Sequence, residues 1–341
     1  MTVPLHAFAA LADSKTLAVS CETAPAAGTN IQGPSVIRVP DWVKGRLGRY
    51  YLYFADHKGR SIRLAYADSP VGPWRYFGDV LALEQTPFPT EITHTPEQLQ
   101  GLTPPPDWPP EGMPGTQLLS AEAVTPHIAS PDAHVRASAQ RILLYYHGLE
   151  SFGRQVTRLA VSHDGLQFEA LSPVLGPSYF RVFEAFGRTF ALVMPGHLYE
   201  ADDVEGPFTK VRDLFECPRQ RHTAVFVDGD VLHVFWSRVA DAPECILCTR
   251  FLLDPDVARW QRLDEVVVTR PERAWEGALL PVSRSWRSSI AHPVRQLRDP
   301  AFLRGEEGDF LFYAAAGEAG IGVCRLERVA RPVLRPLDGW D

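Results

Sequence analysis

Arg298-Asp299-Pro300-Ala-Phe-Leu-Arg-Gly-Glu-Glu-Gly-Asp-Phe-Leu-Phe-Tyr313-Ala-Ala-Ala-Gly-Glu318-Ala-Gly-Ile-Gly-Val-Cys-Arg-Leu-Glu327 is the stretch on which the reading of this chain turns. A short apolar strand opens at Asp-Pro, a Gly-containing turn follows, and a second strand rich in Phe and Tyr comes next. A polar loop then leads to a third strand. Weaker copies lie upstream, and they emerge when the aromatic second strands are aligned: Tyr50–Phe54, Ile142–Tyr146, Phe190–Met194 and Val231–Phe235, with Phe310–Tyr313 as the fifth. Each is preceded by a short apolar strand across a turn carrying Gly, Asp or Ser, and each is followed by a third strand.

Five copies at this spacing predict an all-β, five-bladed propeller forming a single domain over 1–341. The blades are expected at about 33–83, 122–176, 177–219, 220–270 and 298–329. The strand Thr16–Cys21 is expected to close the last blade, because closure removes two exposed edges. Residues 84–121 are dense in proline, with Trp108 among them, and read as a lid over one end of the channel. A second irregular segment, 271–297, is rich in Arg and Trp, and the tail from Pro332 is left without an assignment.

Composition narrows the function. A net charge of -7 argues against nucleic acid or an anionic membrane as partner. The five cysteines are odd in number and scattered, so no disulfide framework is expected, and Cys245 and Cys248 read as buried small residues in a strand. The N-terminus lacks a basic n-region, and no apolar run is long enough to span a bilayer, so a cytoplasmic protein is expected.

Ala67-Asp-Ser-Pro-Val-Gly-Pro-Trp74, Ser162-His-Asp-Gly-Leu-Gln-Phe168 and the strand openings Ser130-Pro131 and Arg298-Asp299-Pro300 resemble the five-bladed propeller glycoside hydrolases, the family 43 group and its relatives. The resemblance covers most of the chain. It implies three carboxylates at the channel mouth: a base opening blade one, a pKa-tuning Asp opening blade two and a Glu acid in blade three. This chain departs from all three, with Gly33 before Pro34, Ser130 before Pro131, and no Glu in Tyr179-Phe-Arg-Val-Phe183. Only blade five keeps an Asp-Pro.

A relocated site can be read from propeller geometry, since first-strand starts and second-strand ends share one end of the channel. Those positions supply Asp132, Asp299 and Glu318 as candidate catalytic carboxylates, with Arg298 holding Asp299 ionised and Glu318 as acid. Asp56, His57, His134, His147, Glu150, Arg181, His197, His222, Arg238 and Arg298, with Trp108 from the lid, are the candidate contacts to sugar hydroxyls or to an anionic group. Strand alternation sets Ser130, Asp132 and His134 on one face and Arg181 on the opposite one. Asp132 and Asp299 also suit turn caps, Glu318 also suits a solvated loop, and His233 reads as a hydrogen-bonded core residue. No cofactor is expected beyond a structural cation or water near His222. The reading is a glycosidase acting exo-fashion with inversion on a small carbohydrate. Its rivals are a non-catalytic carbohydrate-binding propeller and a lyase or transferase for an acidic sugar.

Overall fold

The computed structural model describes residues 7–329, so the tail from Pro332 lies outside the described residues. Five antiparallel sheets follow one another along the chain. Blade one comprises Gln32–Arg38, Tyr50–Ala55, Ser61–Ala67 and Arg75–Ala82. Blade two comprises Ile128–Arg136, Arg141–Ser151, Arg154–Ser162 and the short Glu169–Ala170, with Gly176–Pro177 also on its third strand. Blades three and four run from Arg181–Ala185 to Thr209–Asp213 and from Gln220–Asp228 to Gln261–Thr269. Blade five has Arg298–Gly305, Gly308–Ala315 and Gly320–Val329. Its sheet is completed by Ala7–Ala10 and Thr16–Ser20, both antiparallel to Gly320–Val329.

The aromatic second strands are continuous apolar runs because each is buried on both faces, and alternation sends successive residues to different neighbours. Tyr51 and Tyr53 pack with Leu144 and Tyr146 between blades one and two, whereas Tyr50, Leu52 and Phe54 pack with Phe310 and Phe312 between blades five and one. Leu143 and Tyr145 meet Ala191 and Val193 between blades two and three. Phe190 and Leu192 meet Val234 and Trp236 between blades three and four, and Phe235 meets Leu311 and Tyr313 between blades four and five. Five apolar seams thus hold five blades. Each fully buried large side chain in them contributes about 1.5–3 kcal/mol.

A buried polar network fixes the closure. Lys15, between the two N-terminal strands, donates to the Arg270 carbonyl at 2.7 Å and lies 3.3 Å from Glu276, which accepts the Tyr313 hydroxyl at 2.7 Å.

Four inner strands carry one extra residue near their start. The register with the second strand slips between Gln32 and Ser35, Ala129 and Asp132, Gln220 and Thr223, and Arg298 and Ala301. Gly33, Ser130 and Asp299 take left-handed conformations there, with φ of 62°, 48° and 46°. Such bulges re-aim side chains. Blade three pairs without a slip from Arg181↔Leu192 onward.

The Pro-rich insertion carries two short helices, Pro96–Gln100 and Leu119–Val124. It is clasped to the 271–297 segment: Arg287 donates to both Asp107 carboxylate oxygens at 2.6–3.0 Å, and Ala291 N–H donates to the Gly115 carbonyl at 2.7 Å. Among the described residues the cysteines form no disulfide, Cys245 and Cys248 are buried, and no helix is long and apolar enough to cross a membrane.

Candidate active site

The bulges of blades four and five meet in a buried hydrogen bond. Asp299 accepts a hydrogen bond from His222 Nδ1, both groups being almost completely buried. Burial opposes ionisation of Asp299, but His222, Arg221 and Arg298 outweigh it and hold the carboxyl well below the usual carboxylate range. Burial, with Arg181 and Arg221, pushes His222 below its ordinary value. Asp299 is therefore an anion facing a neutral imidazole that donates its Nδ1–H.

Glu318 follows the end of the second strand of blade five. Its Oε1 accepts from Arg298 at 3.0 Å, its Oε2 accepts from Asn30 at 2.7 Å, and His57 Nδ1 stands 3.7 Å away. His57 lies between two acids, with Nε2 3.8 Å from Glu122. Burial works against a charged His57, yet Glu318 and Glu122 prevail and raise its pKa. Lys58 sits 3.0 Å from Glu122, and burial of Glu122 is overcome by His57 and Lys58, which hold it ionised far below the usual range.

These groups border a cavity of about 470 Å³ at the channel mouth. Asp299, Glu318, Glu122, His57 and His222 share it with Tyr179, Arg154, Arg221, Arg287 and, from the insertion, Trp108. The Tyr179 ring lies tilted between His222 and His147, at 4.3 and 4.1 Å between ring centroids. Burial pushes its hydroxyl far above the usual range.

Of the residues singled out from sequence, Asp299, Glu318, His57, His222 and Trp108 line this cavity, with Arg298 and His147 directly behind them. Asp132, His134 and Arg181 line a separate cavity of about 160 Å³ further along the channel. There Asp132 accepts from His134 at 2.9 Å and from the Val182 N–H at 2.8 Å. Arg181 ties three blades together by donating to the Thr223, Ser130 and Phe180 carbonyls. The expected placement of Arg181 on the face opposite Asp132 and His134 fails here because the bulge at Ser130-Pro131 breaks alternation in blade two while blade three has none. Asp132 and Arg181 consequently share one tier.

The remaining candidates do not reach the mouth. Asp56 caps its own turn through the Lys58 N–H, Glu150 is paired with Arg158, His197 with Asp213, and Arg238 with Glu265. Among the described residues no set of three or more His, Cys, Asp or Glu side chains is arranged to hold a metal, and the Nδ1 of His222 is taken by Asp299. Sequence reasoning missed Glu122, Arg154, Tyr179 and Arg287 as site residues. Tyr179 alone had a signal, since it precedes an inner strand as Gly33, Ser130 and Asp299 nearly do, and shares their left-handed backbone with φ of 68°.

A ring of five antiparallel blades, each of four or five strands, is the fold of the five-bladed propeller glycoside hydrolases, and the chain has that fold. A solved GH130 structure, from a family of mannoside phosphorylases containing glycoside hydrolases that target β-1,2 mannosidic linkages in Candida mannan, superposes with a TM-score of 0.58 at 11% identity over 96% of both chains. A family-43 enzyme from Xanthomonas citri gives 0.55 at 11% identity over 91% of both. A thermostable family-43 glycoside hydrolase gives 0.53 at 13%, over 90% of this chain and 92% of its own. In sequence, the chain is 29% identical over 324 residues to an uncharacterized protein of Acanthamoeba polyphaga mimivirus, covering 88% of this chain and 84% of that one. No family model matches.

Proposed function

We propose that the chain is a glycoside hydrolase that removes a terminal sugar, exo-fashion, from a small oligosaccharide or glycoside held beneath Trp108. The observation that carries this reading is the convergence of Asp299, Glu318 and Glu122 on one mouth cavity whose volume suits a small ligand. Glycosidic cleavage needs a proton for the leaving oxygen and a carboxylate for water or for the anomeric carbon. Asp299 is the anion of the pair and activates water, which gives inversion. The proton comes from the His57 and Glu318 pair, where an imidazolium is held between two acids.

The test is release of sugar from aryl glycosides and natural oligosaccharides. Asp299→Asn keeps an acceptor for His222 and should lower kcat by about 10²–10⁴-fold without loss of fold. Proton NMR of the first-formed anomer reads inversion. Equal turnover by wild type and variant, or no release by either, overturns the assignment.

One observation favours a second reading, a carbohydrate-binding propeller without turnover. The bulges of blades one and two hold Gly33 and Ser130, where the family resemblance implies carboxylates. Sugar binding with no release by the wild type selects this alternative.

A further inference from the structure

The mouth cavity is polar in an uneven way. Each of its carboxylates is already served from within the protein: Asp299 by His222, Glu318 by Arg298 and Asn30, Glu122 by Lys58. The guanidinium groups on its wall are not matched in the same way. Arg154 has no ion pair or hydrogen bond from its side chain among the described residues. It is exposed toward the cavity it lines, and its hairpin is anchored by the Gly153 N–H on the Ala123 carbonyl at 2.9 Å. Arg287 spends Nε and one terminal nitrogen on Asp107 and the Pro218 carbonyl. Its other terminal nitrogen meets only the Met194 sulfur at 3.8 Å, a weak acceptor. Arg221 donates to the Trp286 carbonyl, but its nearest carboxylate, Glu244, stands 3.6 Å away, is shared with Arg298 behind the wall at 3.5 Å, and has an Oε2 that accepts no hydrogen bond. Ser288, more than nine-tenths buried on the same wall, has a hydroxyl with no partner.

We infer that this wall is a subsite for an oxyanion carried by the sugar itself, a carboxylate or a phosphate ester, gripped by Arg154 and Arg287 with Arg221 and the Ser288 hydroxyl behind. The inference rests on the glycosidase reading for its substrate, and it names the class as acidic sugars. Guanidinium forks from separate elements, a blade-two hairpin and the 271–297 segment, suit the several oxygens of such a group. A neutral sugar offers these groups only hydroxyls and leaves their charge unanswered.

Calorimetric titration of the full-length protein with D-glucuronic acid, D-galacturonic acid and glucose 6-phosphate, each against its neutral parent, tests the subsite. At least one acidic sugar should bind about tenfold tighter than its parent or better, the worth of one charge-assisted hydrogen bond. Arg154→Gln should erase most of that preference by weakening the acidic sugar about tenfold more than its neutral parent, and added salt should weaken the acidic ligand more than the neutral one. Equal affinity for every acidic sugar and its parent overturns the inference. So does tight binding of inorganic phosphate together with a neutral sugar, because the anion is then a separate ligand. Hydrolysis assays with the same sugars as aryl glycosides separate the two readings. Cleavage without acidic preference removes the subsite and leaves the hydrolase; acidic preference without cleavage of any glycoside does the reverse.

Discussion

Replacing His233 with Phe should flatten the acid side of the stability profile. His233 lies in the second strand of blade four, well away from the mouth, with its ring 5.0 Å from Phe8 and 5.9 Å from Phe226. Its Nδ1 is buried without a hydrogen bond, so it is core as the sequence suggested but lacks that partner. Burial, reinforced by Arg250 and Arg328, pushes its pKa down to about 4 from 6.5. Between these values the unfolded chain binds a proton that the folded chain refuses, so stability is present above about pH 6.5 and drains away as pH falls toward 4. From pH 7 to pH 5 the loss covers about 1.5 units below the unfolded value, at about 1.36 kcal/mol per unit, or about 2 kcal/mol. Phe fits the aromatic cluster and has no proton to bind. Urea unfolding of wild type and His233→Phe at pH 7 and pH 5 therefore should show the wild type losing about 2 kcal/mol more than the variant, with all other titrations cancelling in the difference. Parallel losses would refute the reasoning.

Two further substitutions probe the frame. Gly33→Asp should fold with a cost of no more than about 1–2 kcal/mol, because Asp299 already adopts the same left-handed conformation at the matching bulge, and an added Cβ meets Ser130 Cα at 3.4 Å, ordinary contact; thermal melting checks it. Lys15→Ala should destabilise by about 3–5 kcal/mol by leaving Glu276 buried without its cation, read by urea denaturation.

The blades were legible because every second strand is a dense apolar run that must be buried on both faces, and that run survives even where the flanking turns have diverged. Asp299 and His222 were legible as strand openings, and Glu318 and His57 as residues beyond second-strand ends. Asp132 misled because a period-of-two argument holds only while pairing is regular, and one inserted residue shifts everything after it relative to the partner strand. Glu122, Arg154 and Arg287 come from an insertion, a hairpin and an irregular segment. Their approach to the mouth depends on how Asp107 docks on Arg287 and Gly153 on Ala123, contacts of long range that carry no periodic signature.

The pairing of Ala7–Ala10 and Thr16–Ser20 with Gly320–Val329 has a consequence for how the chain is made. During synthesis the first strands leave the ribosome with nothing to pair with, and they stay exposed while four blades assemble behind them. Only when Gly320–Val329 has been added can the ring shut, through contacts three hundred residues or more apart. The order of manufacture thus leaves the pairing of the N-terminal strands with Gly320–Val329 until the end of synthesis, and until then two sheet edges stay open to wrong partners.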